Sequence, residues 1–286
     1  MKIDSKTKIY GLVGHPLEHT ASPAMHNAAF RALGLNAVYL VFDIEPMEFE
    51  DGIKGLKALK VSGFNVTIPY KEHIIPFLTH LDSSAVKAGA VNTVKLDDGL
   101  LKGYNTDVSG FLAPLKELDL GLQEITALIL GAGGAAKACV RALLDAGCKE
   151  VIVLNRSIER VLNLSKQHNN TNLKVGHLNE ESLKEALRRA RLVVNATPVG
   201  MYPNVDESII PKTLLRSDLI VYDLVYRPAQ TKLLKDAKEV GAMTICGYKM
   251  LLEQAAKSFK IWTGLEPPRK AMLDALKEDL GVRDEG

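Results

Sequence analysis

The 286-residue sequence has few cysteines, little net charge and no long apolar run. Its three cysteines are odd in number and are not spaced like metal ligands, which argues against a disulfide framework and a cysteine-based metal site. A formal net charge of +2 is too small to indicate nucleic acid or an anionic membrane as the main partner. No apolar stretch reaches the length of a membrane span, and the N-terminus lacks a secretory signal. These absences predict a reduced, soluble, cytoplasmic protein, and they leave a small molecule as the expected partner. The sequence does not show whether the chain is a monomer or a homodimer.

The distribution of apolar residues predicts an α/β protein. Short apolar runs alternate with helix-period segments along the chain, as expected where helices pack on a mainly parallel sheet. The predicted strands span residues 9–13, 37–44, 64–68, 91–96, 101–104, 127–130, 151–154, 192–195 and 219–222. The predicted helices span residues 23–33, 46–59, 108–118, 134–146, 157–167, 180–189, 229–240, 248–262 and 268–280. Ser22 is predicted to cap the first helix, with Pro23 at the first helical position.

Two domains are predicted, because a chain of 286 residues can bury two separate cores. Strands, helices and a hairpin occupy residues 1–106, where polar motifs are frequent. Residues 107–246 show the regular strand–helix alternation of a Rossmann-type doubly wound sheet. Residues 247–286 are predicted to be wholly helical.

A glycine-rich turn lies between the predicted strand 127–130 and the helix that follows it. Gly131, Gly133 and Ala136 match G-x-G-x-x-A, a pattern that lets a pyrophosphate approach the N–H groups of a helix N-terminus. A glycine-rich turn without a ligand is the alternative, but the flanking strand and helix favour a dinucleotide site. The cofactor-binding residues predicted at this turn are Gly131, Ala132, Gly133, Gly134 and Ala135.

The end of the next predicted strand indicates which dinucleotide binds. A carboxylate there would accept hydrogen bonds from a ribose 2′-hydroxyl and repel a 2′-phosphate. The sequence instead has Asn155, Arg156 and Ser157, with Arg160 one helical turn beyond Arg156. Hydrogen bonds between arginine and phosphate are strong because both partners are charged. We therefore expect NADP rather than NAD; the alternative is that the arginines belong to a solvated helix start.

Polar motifs recur where the predicted strands of the first domain end. Thr20 and Ser22 open a helix and could hold a carboxylate, although an ordinary helix cap is the simpler explanation of this pair alone. Thr67 and Lys71 come at the end of the predicted strand 64–68. Two further motifs are Ala90-Val91-Asn92-Thr93 and Tyr104-Asn105-Thr106-Asp107. Ligands of open α/β sheets bind at the carboxyl ends of strands, so these motifs predict a substrate site.

Lys71 and Asp107 are the residues that we predict to transfer a proton. Reduction of a carbonyl adds a hydride to carbon and requires a proton for the developing alkoxide, which a lysine oriented by a carboxylate can supply. A solvated lysine and an aspartate at a helix N-terminus are the alternatives. The sequence by itself does not bring the two side chains together.

Taken together and in their order, these motifs and several others resemble the shikimate dehydrogenase family. The resemblance rests on residues 19–27, 65–71, 89–93, 105–107, 131–137, 155–156, 195–201, 223–226 and 247–254. It extends over nearly the whole chain, and no single block would be specific by itself.

The resemblance implies a reversible, NADP-linked interconversion of 3-dehydroshikimate and shikimate in the chorismate pathway to aromatic amino acids. It implies Lys71 as the acid/base residue and Asp107 as its partner at the reacting oxygen. The resemblance also implies that Thr20 and Ser22 contact the carboxylate of the substrate, and that its ring and hydroxyls are contacted by Thr67, Asn92, Tyr226 and Gln254. For the cofactor it implies that residues Gly131 to Ala135 contact the pyrophosphate and that residues Asn155 to Arg160 contact the adenosine phosphate. Leu224 and Gly247 would contact the nicotinamide. Residues 1–106 would then bind the substrate, residues 107–246 would bind NADP, and the C-terminal helices would pack on the substrate domain.

One position departs from the family pattern. The family usually has serine where this sequence has Thr20, and an added methyl group is worth roughly 1–3 kcal/mol of discrimination in a pocket. The balance between shikimate and the bulkier quinate therefore stays open. A quinate/shikimate dehydrogenase of broader specificity is one alternative, and a non-catalytic regulator that binds NADP or shikimate is another. The presence of both Lys71 and Asp107 argues against the regulator.

Overall fold

Two separate sheets with surrounding helices make up the computed structural model, which describes residues 3–18, 20–168 and 170–282. The chain divides into a first unit, Met1–Thr106 with Leu252–Gly286, and a second unit, Asp107–Leu251. His19, the first residue of the block 19–27 that carries the family resemblance, and the outermost residues of the predicted ranges 1–106 and 247–286 lie outside the described residues. The predicted α/β fold class is confirmed.

The elements follow one another in a regular alternation. The strands are β1 (Lys8–Gly14), β2 (Ala37–Asp43), β3 (Gly63–Val66), β4 (His80–Leu81), β5 (Thr93–Asp97), β6 (Leu100–Tyr104), β7 (Thr126–Leu130), β8 (Glu150–Asn155), β9 (Leu173–His177), β10 (Leu192–Asn195), β11 (Ile220–Asp223) and β12 (Met243–Cys246). The α-helices are α1 (Ser22–Ala32), α2 (Phe49–Ala58), α3 (Ser83–Ala88), α4 (Asp107–Glu117), α5 (Gly134–Asp145), α6 (Ile158–His168), α7 (Glu180–Arg189), α8 (Lys232–Glu239), α9 (Gly247–Thr263) and α10 (Arg269–Asp279).

The first unit is built on a mixed sheet in the order β2-β1-β3-β5-β6-β4. β1 runs parallel to β2 and β3, whereas β5 is antiparallel to β3 and β6. The predicted hairpin joins β5 to β6, where Asp98 and Gly99 have φ angles of 49° and 76°, the left-handed conformation that a two-residue hairpin turn requires. Apolar side chains from β1, β3 and α2, among them Val13, Phe64 and Ile53, fill one core.

The C-terminal helix α10 packs against α1 in the first unit and buries Met272 and Leu276. Trp262 at the end of α9 is buried, and its Nε1–H donates to Val94 O at 2.9 Å. Helix α9 begins in the second unit and enters the first at Leu252. The change of unit therefore falls inside this helix rather than at Gly247, where the helical tail was predicted to start.

The predicted cap of α1 is wrong. Ser22 is the first helical residue, Ala21 stands at the N-cap, and the Ala21 side chain offers no hydrogen bond to the helix. The physical reason is that Thr20 supplies the hydroxyl, because Ser22 N–H donates to Thr20 Oγ1 at 3.3 Å. The predicted helix 46–59 also divides, into a 3-10 turn at Pro46–Glu48 and the α-helix α2.

The second unit has an all-parallel sheet in the order β12-β11-β10-β7-β8-β9. This order runs outwards in two directions from the neighbours β7 and β10, as in a Rossmann-type doubly wound sheet, which confirms that prediction. The strand order reverses between β7 and β10, and ligands of such sheets bind outside the carboxyl ends of the strands at that point. The edge strands β9 and β12 were not predicted from the sequence, nor were β4 and α3.

His26 on α1 is fully buried in the first unit. Its ring stacks on Tyr39 with centroids 4.4 Å apart and lies 5.2 Å from Trp262. Neither ring nitrogen has a hydrogen-bond partner in the part of the chain that the structure describes. Burial lowers the pKa of His26 from its ordinary 6.5 to about 3, because a charged imidazole would be desolvated there without compensation.

This burial predicts a loss of stability in mild acid. Folded His26 stays neutral down to a pKa of about 3, whereas the unfolded chain takes up the proton below 6.5, so the folded state loses stability as the pH falls through that window. At pH 5 the loss from this residue is about 2 kcal/mol. Urea unfolding of wild type and His26→Leu across this range measures it, with His80→Leu at an exposed position as control. Parallel pH profiles for wild type and His26→Leu would contradict the assignment.

Candidate active site

Polar segments of the first unit meet at one edge of its sheet. β1 and β3 are parallel and end there, at Gly14 and Val66. β5 begins at the same edge, because Thr93 is paired with Asn65 in the antiparallel register. β6 ends there as well, since Tyr104 is paired with Thr93. The sheet topology therefore brings together the polar motifs that the sequence places at these strand ends.

Lys71 lies in the turn after β3, and main-chain hydrogen bonds hold this turn. Thr67 N–H donates to Val13 O at 2.9 Å, and Val91 N–H donates to Lys71 O at 2.8 Å. Both Thr67 and Lys71 are half-buried. The second bond ties the main chain of Lys71 to the residue before Asn92, so these two predicted site residues lie on neighbouring segments.

Asn92 is buried, and its partners determine which way its amide points. Thr106 N–H donates to Asn92 Oδ1 at 2.8 Å, and only the carbonyl oxygen of an amide can accept that proton. The Nδ2 group therefore faces Thr106 Oγ1 at 2.9 Å and Gln254 Oε1 at 3.4 Å. Gln254 comes from α9 and is also buried. Two of the predicted ring-contacting residues are thus adjacent.

Sequence reasoning gave no supporting role to the residues around these two amides, although Asn65 and Thr93 stand in motifs that it singled out. Asn65 Nδ2 lies 3.1 Å from both Thr93 Oγ1 and Ser258 Oγ, and the two hydroxyl oxygens are 2.7 Å apart. Tyr39 donates its hydroxyl proton to Asn65 Oδ1 at 2.8 Å. All four side chains are buried. For Ser258 the available signal was its position four residues after Gln254, because residues four apart lie on one face of a helix.

The two hydroxyls predicted to hold a carboxylate differ in their surroundings. Thr20 Oγ1 accepts Ser22 N–H at 3.3 Å and keeps its own proton to donate. Ser22 is buried and hydrogen-bonded to Tyr39, whose pKa is raised well above its usual value by burial and lowered in part by that bond. Because Tyr39 gives its proton to Asn65, Ser22 is the donor to Tyr39. The Ser22 hydroxyl would have to turn before it could donate to a carboxylate.

Two of the predicted substrate residues belong to the second unit. Asp107 is buried and is the first residue of α4. Tyr226 is half-buried in the loop after β11. Lys71 belongs to the first unit, and its predicted pairing with Asp107 stays a prediction, as does the contact of Tyr226 with a substrate.

The glycine-rich turn after β7 contains two glycines that differ in whether a side chain would fit in their place. Gly131 has a φ of 114°, and a Cβ there would lie 2.8 Å from Ala196 O, so only glycine fits. Gly133 is exposed, has an ordinary φ of −84°, and a Cβ there would meet nothing within 4 Å. Of the other predicted residues here, Ala132 is buried, and Gly134 and Ala135 form the half-buried start of α5. The Gly133 N-cap provides no side-chain hydrogen bond, which leaves the helix N-terminus open to an anion.

Positive charge gathers at the end of β8, beside the glycine-rich turn in the sheet order. Asn155 Nδ2 donates to Ser157 O at 3.1 Å and shapes the turn into α6. Arg156 and Arg160 are both exposed, and neither guanidinium forms an ion pair with another described residue. The two arginines are therefore available to bind a phosphate group.

A buried carboxylate to which sequence reasoning gave no role shapes the loop after β11. Asp223 Oδ1 accepts from Asn195 Nδ2 at 2.9 Å and from Val225 N–H at 3.0 Å. Its Oδ2 accepts from Thr231 Oγ1 at 2.7 Å. Burial raises the pKa of Asp223 to about 6, although these three donors lower it. The carboxylate thus joins the ends of β10 and β11 to the start of α8.

Leu224 and Gly247, predicted to lie along a nicotinamide, are in close contact within the second unit. Leu224 N–H donates to Asn195 O at 3.0 Å, which continues the parallel pairing of the strands. A Cβ on Gly247 would lie 2.5 Å from Leu224 O, so the start of α9 requires glycine to approach this loop.

Among the described residues, no group of His, Cys, Asp and Glu side chains could hold a metal ion. Within the same part of the chain, no helix has the length and apolar character needed to cross a membrane.

Three family models match the chain. The shikimate dehydrogenase substrate binding domain matches residues 12–94, shikimate / quinate 5-dehydrogenase matches residues 115–217, and the shikimate 5′-dehydrogenase C-terminal domain matches residues 247–277. Among curated relatives, a shikimate dehydrogenase (NADP(+)) from Methanocaldococcus jannaschii is 46% identical over 277 residues, 96% of this chain and 98% of that protein. Another, from Methanopyrus kandleri, is 43% identical over 285 residues, 98% of each chain.

Solved structures agree with these matches. A crystal structure of a shikimate dehydrogenase in complex with NADP+ has a TM-score of 0.91 and 43% identity, covering 98% of both chains. The enzyme from Thermus thermophilus in complex with NADP(H) and shikimate has a TM-score of 0.85 and 37% identity, covering 96% of this chain and 100% of that one. A quinate dehydrogenase from Corynebacterium glutamicum in complex with NAD has a TM-score of 0.87 and 31% identity, covering 95% and 99%. With relatives above 40% identity over nearly its full length, the chain belongs to the shikimate dehydrogenase family.

Proposed function

We propose that the protein catalyses the reversible, NADPH-dependent reduction of 3-dehydroshikimate to shikimate in the chorismate pathway, and that it does so in the cytoplasm. The observation that carries this proposal is the polar edge of the first sheet, where the main chain of Lys71 is bonded to the segment that holds Asn92. A proton-donating lysine beside oriented amides suits a substrate with ring hydroxyls and one reacting carbonyl. The family to which the chain belongs supports the same reaction.

NADP fits the second unit. The open space at Gly133 and the uncapped start of α5 suit the pyrophosphate, which Gly131 to Ala135 would hold through main-chain N–H groups. Asn155, Ser157 and the exposed guanidiniums of Arg156 and Arg160 would bind the phosphate on the adenosine. Leu224 and Gly247 would lie along the nicotinamide. When bound, the cofactor supplies the hydride in reduction and accepts it in oxidation.

Residues of the protein would donate and accept the proton. In reduction, Lys71 donates a proton to the carbonyl oxygen as the carbon receives the hydride, so that C=O becomes CH–OH. In oxidation, Lys71 takes that proton back as the hydride leaves the carbon. Asp107 orients the lysine ammonium and balances its charge.

Substrate binding would divide between a carboxylate end and a hydroxyl end. Thr20 and Ser22 hold the carboxylate, with the Ser22 hydroxyl turning away from Tyr39 to donate. Thr67, Asn92, Tyr226 and Gln254 contact the ring and its hydroxyls. The Thr20 methyl group reduces the room around the carboxylate, which makes quinate the informative second substrate. A broader quinate/shikimate dehydrogenase and a non-catalytic regulator are the competing functions, and assembly as a homodimer stays a prediction.

The deciding experiment follows NADPH absorbance with purified protein, shikimate or quinate, and NADP or NAD. We expect shikimate-dependent reduction of NADP by the wild type. Lys71→Ala should lower kcat by about 10²–10⁴-fold, because it removes the general acid/base. Lys57→Ala removes a lysine from the exposed side of α2 and serves as the matched control.

The outcomes separate the candidate functions. Equal rates with quinate and shikimate would establish the broader dehydrogenase. Tight NADP binding without turnover of either substrate would refute the enzyme and favour the regulator. Wild-type activity in Lys71→Ala would leave the reaction intact but refute the assignment of this lysine.

Cofactor preference should depend on the two exposed arginines. Replacing both Arg156 and Arg160 with alanine removes charge-assisted hydrogen bonds to the 2′-phosphate, each worth about 1.5–3 kcal/mol. We expect the KM for NADP to rise at least about tenfold, while the KM for NAD changes little because NAD lacks that phosphate. The free energy of unfolding should stay within about 0.5 kcal/mol of the wild type, since both side chains are exposed. An equal rise in the KM for NAD and the KM for NADP would show that the arginines do not bind the 2′-phosphate.

The two glycines of the turn should separate folding from cofactor binding. Gly131→Ala places a side chain at a φ of 114° and against Ala196 O, so we expect a loss of about 1–3 kcal/mol in the free energy of unfolding. Gly133→Ala meets open space and should cost less than about 0.5 kcal/mol. Its methyl group would stand where the pyrophosphate approaches, so NADP affinity should fall. Unchanged NADP affinity in Gly133→Ala, measured by calorimetry, would place the pyrophosphate elsewhere.

A further inference from the structure

We propose that Thr93 and Ser258 are positioning residues for substrate recognition, and that their paired hydroxyls hold the amides of Asn92 and Gln254 in the orientation that binds ring hydroxyls. The inference rests on the proposed function, because it takes Asn92 and Gln254 as substrate contacts. Neither Thr93 nor Ser258 is itself assigned to the substrate.

Ser258 connects the helix that carries one amide to the strand end that carries the other. It lies one turn after Gln254 on α9, and its Oγ is 3.0 Å from Gln254 O. The same oxygen is 2.7 Å from Thr93 Oγ1 and 3.2 Å from Thr106 Oγ1. Thr93, which follows Asn92 directly, and Ser258 are both fully buried.

A hydroxyl has a single proton, and two arrangements use the short contact between these oxygens. In the first, Thr93 donates to Asn92 Oδ1 at 3.0 Å and Ser258 donates to Thr93. In the second, Thr93 donates to Ser258, which donates to Gln254 O. Both arrangements leave oxygen lone pairs for Asn65 Nδ2. Removing either hydroxyl therefore takes one hydrogen-bond partner away from its buried neighbours.

The orientation of the amides decides what they offer to a ligand. Asn92 Oδ1 is surrounded by donors, since Thr106 N–H lies at 2.8 Å and Thr93 Oγ1 at 3.0 Å. A flipped amide would set Nδ2 against Thr106 N–H, which cannot accept a proton. With Asn92 held, its Nδ2 faces Gln254 Oε1, so Gln254 Nε2 points to the opposite side. The amides of Asn92 and Gln254 thus present their hydrogen-bond donors in one fixed orientation. Removing the hydroxyl of Thr93 or Ser258 would allow these amides other orientations.

The test compares three variants in the shikimate-dependent reduction of NADP. Thr93→Val keeps the shape of the side chain and removes its hydroxyl, Thr93→Ser keeps the hydroxyl, and Ser258→Ala removes the second hydroxyl. We expect Thr93→Val and Ser258→Ala to raise the KM for shikimate about tenfold, the size of one lost hydrogen bond. The KM for NADP and kcat should stay within about twofold, and Thr93→Ser should restore the KM for shikimate.

Thr263→Ala is the matched control on the same helix. Thr263 Oγ1 donates to Phe259 O at 2.8 Å, the same kind of bond as that from Ser258 to Gln254 O, but it does not join the cluster. We expect a wild-type KM for shikimate in this variant. If Ser258→Ala does not fold, the comparison of Thr93→Val with Thr93→Ser decides.

The outcomes distinguish failure of the positioning role from failure of the proposed function. A wild-type KM for shikimate in Thr93→Val, with or without a loss of stability, would overturn the positioning role and leave the reaction standing. A wild-type protein that neither turns over shikimate nor binds it in calorimetry would refute the proposed function, and the positioning role with it.

Discussion

A polar side chain buried where a strand ends must find its hydrogen-bond partners inside the protein, and both units depend on this constraint. In the first unit the buried amide of Asn92 is satisfied by Thr106 and Gln254. In the second unit the carboxylate of Asp223 is satisfied by Asn195, Val225 and Thr231. Some of these partners, such as Gln254 for Asn92 and Asn195 for Asp223, come from distant segments of the chain, so the bonds that satisfy the buried group also connect the loops around it. Loop conformation where these strands end thus follows from burial as well as from local turns such as the bond from Val225 N–H to Asp223.

In the second sheet, the strands that could be predicted from the sequence are those buried along most of their length, because such strands are continuous apolar runs. β7 and β10, in the middle of the second sheet, are buried at every position. β9 and β12 stand at the two edges of that sheet and have exposed or half-buried residues at several positions, so no apolar run marks them. The misplaced cap of α1 has a different cause. A sequence with hydroxyls at both Thr20 and Ser22 does not show which of them receives the first N–H group of the helix.

The residues of the candidate site also fall into those that could be predicted from the sequence and those that could not. Lys71 and Asn92 stand in motifs at predicted strand ends, where polar residues are unexpected, and this made them predictable. Thr93 stands in one of these motifs, but the positioning role proposed for Thr93 and Ser258 could not be recognised, because a single serine in a helix or threonine in a strand is ordinary. Their role comes from a contact between positions 165 residues apart, which no local pattern encodes. Asp223 is a similar case, since its importance comes from the donors that surround it rather than from its neighbours in the chain.

Recognition of the substrate and recognition of the cofactor phosphate therefore depend on different kinds of interaction. The residues proposed to contact the ring hydroxyls, Asn92 and Gln254, are buried, paired and held by further buried groups, so altering one of them disturbs the others. Arg156 and Arg160, proposed for the cofactor phosphate, are exposed and stand outside any ion pair with the described residues. A surface charge can be exchanged with little effect on folding, whereas a member of a buried network cannot. Cofactor preference should thus be separable from folding stability in this protein, while substrate preference should be coupled to it.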